Sequence, residues 1–248
     1  MRKTLLIAAA TLAASIISSQ AQVYSQNIVG YVNVPAVNGF TVIANPLVNA
    51  GGDAATNFVN NSGGAWDGSL IYTWNGTGYS IVQYDSTRAT GFANFAGSAA
   101  VPAPVLDPGQ GFLFNNQSGS SNTITFVGTV YTGGPGASTN VVGLSTNLLT
   151  TAHTYQFVSS AFPVGGGISS VLGLTNPGGV LDGSLILVPN IVGGAVHGYV
   201  TVQFDSSRGT GFANFAGSAA VPEPIIPVGS GFLFSNQSGA PYNWIQSL

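Results

Sequence analysis

The chain of 248 residues sets four Lys and Arg against seven Asp and Glu, a net charge of −3, with 4% charged and 45% hydrophobic residues and no cysteine. So little basic charge excludes binding to nucleic acid or to anionic lipid, whose phosphates are held mainly by clustered Lys and Arg. High hydrophobicity with few charges excludes a disordered chain, and without disulfides the fold must rest on apolar burial, which a chain of this size can supply.

The N-terminus reads "MRKTLLIAAATLAASIISSQAQ": Arg2 and Lys3, an apolar run from Leu5 to Ile17, then small and polar residues to Ala21. That is the layout of a secretory signal, residues 1–21, cleaved after Ala21; the rival reading is an uncleaved anchor. The apolar run is roughly 13 residues, short of the ~20 that a helix needs to span a bilayer, and no later stretch predicts a transmembrane helix. The expected location is therefore secreted, at the cell surface or in the periplasm. In the mature chain Arg88 and Arg208 are the only basic side chains left against the seven carboxylates.

Downstream the pattern is β. "NGFTVIANPL" from Asn38 reads as a strand, and "DAATNFVNN" from Asp53 as two helical turns with Asp53 as N-cap. "IYTWNGTGYSIVQY" predicts a hairpin, since Asn75 to Gly78 supply the positive φ that a tight turn needs. Trp74, Tyr79 and Tyr84 are expected as core or cross-strand partners. In "NTITFVGTV" Ile124, Phe126 and Val130 alternate with Thr123, Thr125 and Thr129, the period of a half-buried strand. "ISSVLGL" from Ile168 predicts a second short helix, and "YVTVQF" puts Val200, Val202 and Phe204 on one face. Thirty-five glycines and thirteen prolines fit many tight turns.

The strongest signal is internal. Residues 85–119 and 205–239 agree at 26 of 35 positions at an offset of 120, with "TGFANFAGSAAVP" unchanged. Upstream, "WDGSLIYTW" from Trp66 aligns with "LDGSLILVP" from Leu181 at an offset of 115, the difference being a longer connection, "NIVGGAVHGY" against "NGTGY". The prediction is an all-β chain of two tandem homologous units, 22–135 and 136–248, each sandwich- or barrel-like with about six strands and at most one short helix. The second is expected to be cut short at its last strand.

The repeated stretch holds the candidate site: Arg88, Phe92, Asn94 and Phe95, with Arg208, Phe212, Asn214 and Phe215. Each Arg either pairs with the neighbouring Asp85 or Asp205 and fixes the loop, or offers its planar fork to a carboxylate or sugar hydroxyl. Each Phe pair either plugs the end of a β core or lies open on the loop, where a flat ring stacks on a sugar or joins subunits. Asp67-Gly68-Ser69 and Asp182-Gly183-Ser184 read as turns.

Catalytic signatures are missing. There is no G-x-S-x-G elbow and no phosphate-binding Gly loop. His153 and His197 occur in one copy each, and Glu223 is the only Glu available to a glycosidase pair. No cofactor and no metal is expected. "VPEP" at Val221–Pro224 looks like part of a sorting signal, yet copy one reads "VPAP" at the same place and no basic cluster follows.

"IVGYVNV" (28–34), "GFTVIANPL" (39–47), "DGSLIYTWNGTGY" (67–79) and "PGQGFLF" (108–114), in this order, resemble secreted β-rich repeat proteins of environmental Gram-negative bacteria. The resemblance covers nearly all the mature chain and implies export and a β fold, with no activity attached. The chain departs from the pattern at Ala99-Ala100-Val101-Pro102, where a Trp-bearing segment is expected.

Three functions remain in play. The first is a non-enzymatic extracytoplasmic structural or self-associating protein of the cell surface or matrix, with copies of itself or envelope components as partners. The second is a carbohydrate- or peptide-binding module built on the Arg and Phe loop, and the third a hydrolase without a recognisable motif.

Overall fold

The structure, a computed structural model, describes residues 29–49, 51–58, 62–75, 78–130, 144–150 and 155–247. The expected secretory signal, the predicted boundary between the two units, Gly76, Thr77 and His153 lie outside these residues. The first half contains β1 (Val29–Ala36), β2 (Gly39–Ala44), β3 (Leu47–Val48), β4 (Leu70–Trp74), β5 (Tyr79–Tyr84), β6 (Phe92–Asn94), β7 (Gly111–Asn116) and β8 (Asn122–Val130). The second contains β9 (Leu144–Leu149), β10 (Gln156–Ser159), β11 (Gly166–Gly167), β12 (Leu185–Val192), β13 (Ala195–Phe204), β14 (Phe212–Asn214), β15 (Ile225–Ile226), β16 (Gly231–Ser235) and β17 (Tyr242–Ser247).

The chain is all-β. Its first half forms a five-stranded antiparallel sheet in the order β2-β7-β4-β5-β6, and its second a sheet in the matching order β10-β16-β12-β13-β14. A smaller sheet accompanies each, β1-β8-β3 and β17-β9. The sheets do not close into a barrel, so the layout is sandwich-like.

Alternation explains the layers. In β8, Ile124 and Phe126 are buried while Thr123 and Val127 face out, so one face of the small sheet closes over the large one. Each half then has its own apolar core. The first gathers Ile43, Trp66, Phe112, Phe114 and Phe126, with the Trp66 and Phe114 rings edge to face at 5.4 Å. The second gathers Leu181, Phe204, Phe232, Phe234 and Trp244. Burying such a side chain contributes about 1.5–3 kcal/mol, and this carries the fold in the absence of disulfides.

The two expected helices do not form. Asp53 caps no helix: its Oδ1 accepts the Asn49 amide at 2.9 Å and Asn45 Nδ2 at 3.3 Å. The chain at Ala54 bridges Val105 instead, with Leu106 N donating to Asp53 O at 2.7 Å, which leaves only a 3-10 turn at Ala55–Asn57. At Ile168 the helix is equally pre-empted. Ile168 N donates to Pro224 O at 3.1 Å, and one turn closes as Val171 and Leu172 both donate to Gly167 O. In both places pairing to the segment that follows the repeated loop overrides local helix propensity.

The longer connection of the second half appears as a longer hairpin. β12 and β13 pair from Leu185–Gln203 out to Val192–Ala195, with a register shift between Pro189 and Ile191. Gly193 and Gly194, at φ of 60° and 78°, make the two-residue turn, whose positive φ values suit the twist of the strands it joins. β14 pairs only with Val202, Gln203 and Phe204, so the hairpin runs on well past its neighbour.

The halves meet through a contact made twice. Ile43 bridges Ser230 and Gln110 bridges Val158. Ala44 N donates to Gly229 O at 2.9 Å, and Ser159 N donates to Gly109 O at 3.3 Å. By the sequence offsets, each pair is the other with the halves exchanged, as in a two-fold interface. Strands β6 and β14 sit on the far side of each sheet from this junction.

Candidate functional site

The repeated stretch forms a pair of closed turns that hang on the far edges of the two large sheets. In the first, Asp85 N donates to Gly91 O at 3.0 Å and Arg88 N to Asp85 O at 3.1 Å. Gly91, at φ of 76°, then turns the chain back into β6. Past β6 a second turn returns it, as Asn94 N donates to Ala99 O at 2.9 Å and Ala93 bridges Ala100.

Arg88 ties these two turns together. Its Nε meets Asp85 Oδ2 at 2.9 Å, and its Nη2 donates to Gly97 O at 2.7 Å. Arg208 repeats the arrangement with Asp205 at 3.0 Å and Gly217 O at 2.6 Å. The Thr87 hydroxyl and then Arg88 hold the Asp85 carboxyl below its usual range, and the Ser207 hydroxyl and Arg208 do the same for Asp205. Of the two readings of the arginines, the geometry matches the one in which they pair with Asp and a loop carbonyl.

Asn94 is spent in the same way. Its Oδ1 accepts the Ser98 and Ala99 amides at 2.9 and 3.2 Å, and its Nδ2 donates to Ser98 Oγ at 3.0 Å. Asn214 repeats this with Ser218 and Ala219. Such side-chain bonds replace the backbone partners that a tight turn leaves empty.

The phenylalanines divide. Phe92 and Phe212 are buried, their rings packed at a tilt 4.7 Å from Tyr84 and 5.0 Å from Phe204 respectively, so these two close the ends of the cores. Phe95 and Phe215 point out from the turns, 60% and 65% exposed. Of the eight candidate residues, only this pair presents a ring to solvent.

Two concavities flank the loop of the second half. One, of about 420 Å³, is lined by Ser170, Asn176, Phe204, Ser206, Thr210 and Glu223. Its polar groups are already engaged: Ser170 Oγ donates to Glu223 Oε2 at 2.7 Å, Ser206 Oγ to Asp182 Oδ2 at 2.6 Å and Asn176 Nδ2 to Asp182 Oδ1 at 2.7 Å. Burial pulls the Glu223 carboxyl up, but the Ser170 hydroxyl and the Ser170 and Ser169 amides outweigh it and hold it below its ordinary value. Asp182 is likewise lowered, its bonds from Ser206 and Asn176 overcoming burial. A general acid needs the opposite shift, so these carboxylates suit acceptance of bonds rather than proton donation.

The other concavity, of about 460 Å³, is apolar and lies between the inner face of the β12–β13 hairpin and residues 221–225. Sequence reasoning did not find it. Its signal lies where the copies differ: Thr73, Ser80 and Val105 of the first half stand where the second has Val188, Val200 and Ile225.

Comparison with known protein families, with curated proteins and with solved structures gives no match to this chain.

Proposed function

We propose that the chain is a non-enzymatic structural protein of the cell surface or extracellular matrix, exported through its N-terminal signal and working by self-association. One observation carries this reading. The polar side chains of both loops and of the adjoining cleft are spent on their own chain, while the side chains left open around them, Phe95, Phe215, Val200 and Ile225, are apolar. Exposed apolar patches on stable domains mark contact surfaces, and a surface with few charges does little to keep copies apart. Among the described residues no helix is long and apolar enough to cross a membrane. The test is to produce the full chain in a Gram-negative host and fractionate the cells. Recovery from the envelope or medium as assemblies that survive gentle extraction supports the reading; a processed, single-chain species free in the periplasm contradicts it.

The exposure of Phe95 and Phe215 on identical turns supports a second reading, a carbohydrate-binding module whose rings stack on sugars. A polysaccharide pull-down separates the two. Binding that the Phe95→Ser, Phe215→Ser double variant abolishes favours the module, and equal recovery of both proteins removes it.

A further inference from the structure

We infer that the apolar groove of the second half is itself the self-association site, filled by Phe215 of a second copy that presents the same face in return; this rests on the self-association reading above. The groove exists because the β12–β13 hairpin outruns β14, which pairs only with Val202, Gln203 and Phe204. Beyond that point the face that packs inward at Val202 and Phe204 continues as Val188 and Val200, which are paired across the strands. There its walls are Asn214 and the segment from Val221 to Ile225, which includes Glu223. The result is a cavity of about 460 Å³ with Val200 and Ile225 exposed at 53% and 63%. Asn214 lines it, and Phe215, the next residue in the chain, is 65% exposed on the turn that follows.

Charge selects the occupant. A two-fold contact sets every side chain near its own image, so a surface that pairs with itself must carry no free charge at its centre. Between Asp182 and Asp205 the chain has no Asp, Glu, Lys or Arg. The one carboxylate on the groove, Glu223, keeps its charge but turns both oxygens toward Ser169 and Ser170 of the other concavity, accepting the Ser170 amide and hydroxyl, each at 2.7 Å. The few carboxylates of the surface lie mostly elsewhere, so along this hairpin two copies approach with little like charge between them. A self-complementary face also needs a projection as well as a hollow, and the exposed Phe215, adjoining the groove-lining Asn214 in the chain, supplies the projection. An aromatic side chain entering a dry pocket is the kind of contact that dominates interface energetics.

The repeat provides an internal control, because Phe95 sits on an identical turn beside Thr73 and Ser80 rather than two valines. The experiment is sedimentation velocity of the purified chain at rising concentration, for the parent and for Phe215→Ser, Val200→Asn and Phe95→Ser, with thermal melts to show that each exposed-site variant is folded. The expected result is a dimer whose Kd rises about tenfold or more with Phe215→Ser and with Val200→Asn and is unchanged by Phe95→Ser. A parent that associates while Phe215→Ser and Val200→Asn associate equally well overturns the groove but leaves self-association standing. Equal weakening by Phe95→Ser overturns it too. A parent that never associates overturns both.

Discussion

Gly111 and Gly231 meet at the junction of the two halves: a Cβ on Gly231 would stand 3.6 Å from Gly111 Cα, and only 2.8 Å from both the Val158 carbonyl oxygen and Val42 Cγ1. A Cβ on Gly111 would stand 3.0 Å from Val158 N. Two strands from each half converge here, and backbone approaches backbone because neither glycine has a side chain.

Gly231→Ala should therefore destabilise the chain by about 1–3 kcal/mol, the range for overpacking against atoms that cannot retreat. Gly209→Ala is the matched control, since a Cβ there meets nothing within 4 Å and the first half already has Ala89 at the equivalent position. Urea unfolding should show a loss for the first and no loss for the second; equal effects would mean that the junction is not tightly packed.

Tyr84 is wholly buried and its hydroxyl has no hydrogen-bond partner. Burial pushes its pKa upward, as expected of a phenol sealed from water. The second half places Phe204 at the equivalent site. Tyr84→Phe should thus stabilise the first half, by about 1 kcal/mol, because an unpaired buried polar group costs free energy. A lower unfolding midpoint for this variant would show that the hydroxyl has a partner.

Acid should unfold the chain through its turn carboxylates. Asp85, Asp205, Asp182 and Glu223 are all held below their ordinary values in the folded state. A depressed folded pKa adds stability that is present above the unfolded pKa, about 3.9 for Asp and 4.3 for Glu, and is lost as pH falls through the folded value. Stability should then be flat near neutrality and drop below about pH 4, with a shallower drop for the Asp85→Asn, Asp205→Asn double variant. Asp107 acts in the opposite sense, since burial and then Asp53 raise it, so Asp107→Asn should gain stability at neutral pH. A chemical-denaturant series across pH checks both signs.

The sequence made the β class, the strand positions around "NTITFVGTV" and "YVTVQF", and the Asp–Arg anchors legible, because period-two burial and short-range ion pairs are local properties. The helices expected at Asp53 and Ile168 do not form, for the converse reason. Each segment is captured by a partner about 50 residues away, through Ala55 N to Pro104 O and Ile168 N to Pro224 O, and no local pattern announces that. The two Phe residues of "GFANF" show the same limit. Strand β6 turns Phe92 inward, and the turn that begins at Asn94 turns Phe95 outward, although the two have identical chemistry. Of the site, the loops were visible as identity between the copies. The groove was visible only as difference between them, at Thr73 and Val188 and at Ser80 and Val200, where a change from polar to apolar alters an exposed face without altering the fold.

The most direct test of the central claim is sedimentation equilibrium of the purified chain over about three decades of concentration at moderate salt. Self-association predicts a weight-average mass that climbs above that of one chain as concentration rises; the mass of one chain at every concentration would contradict it.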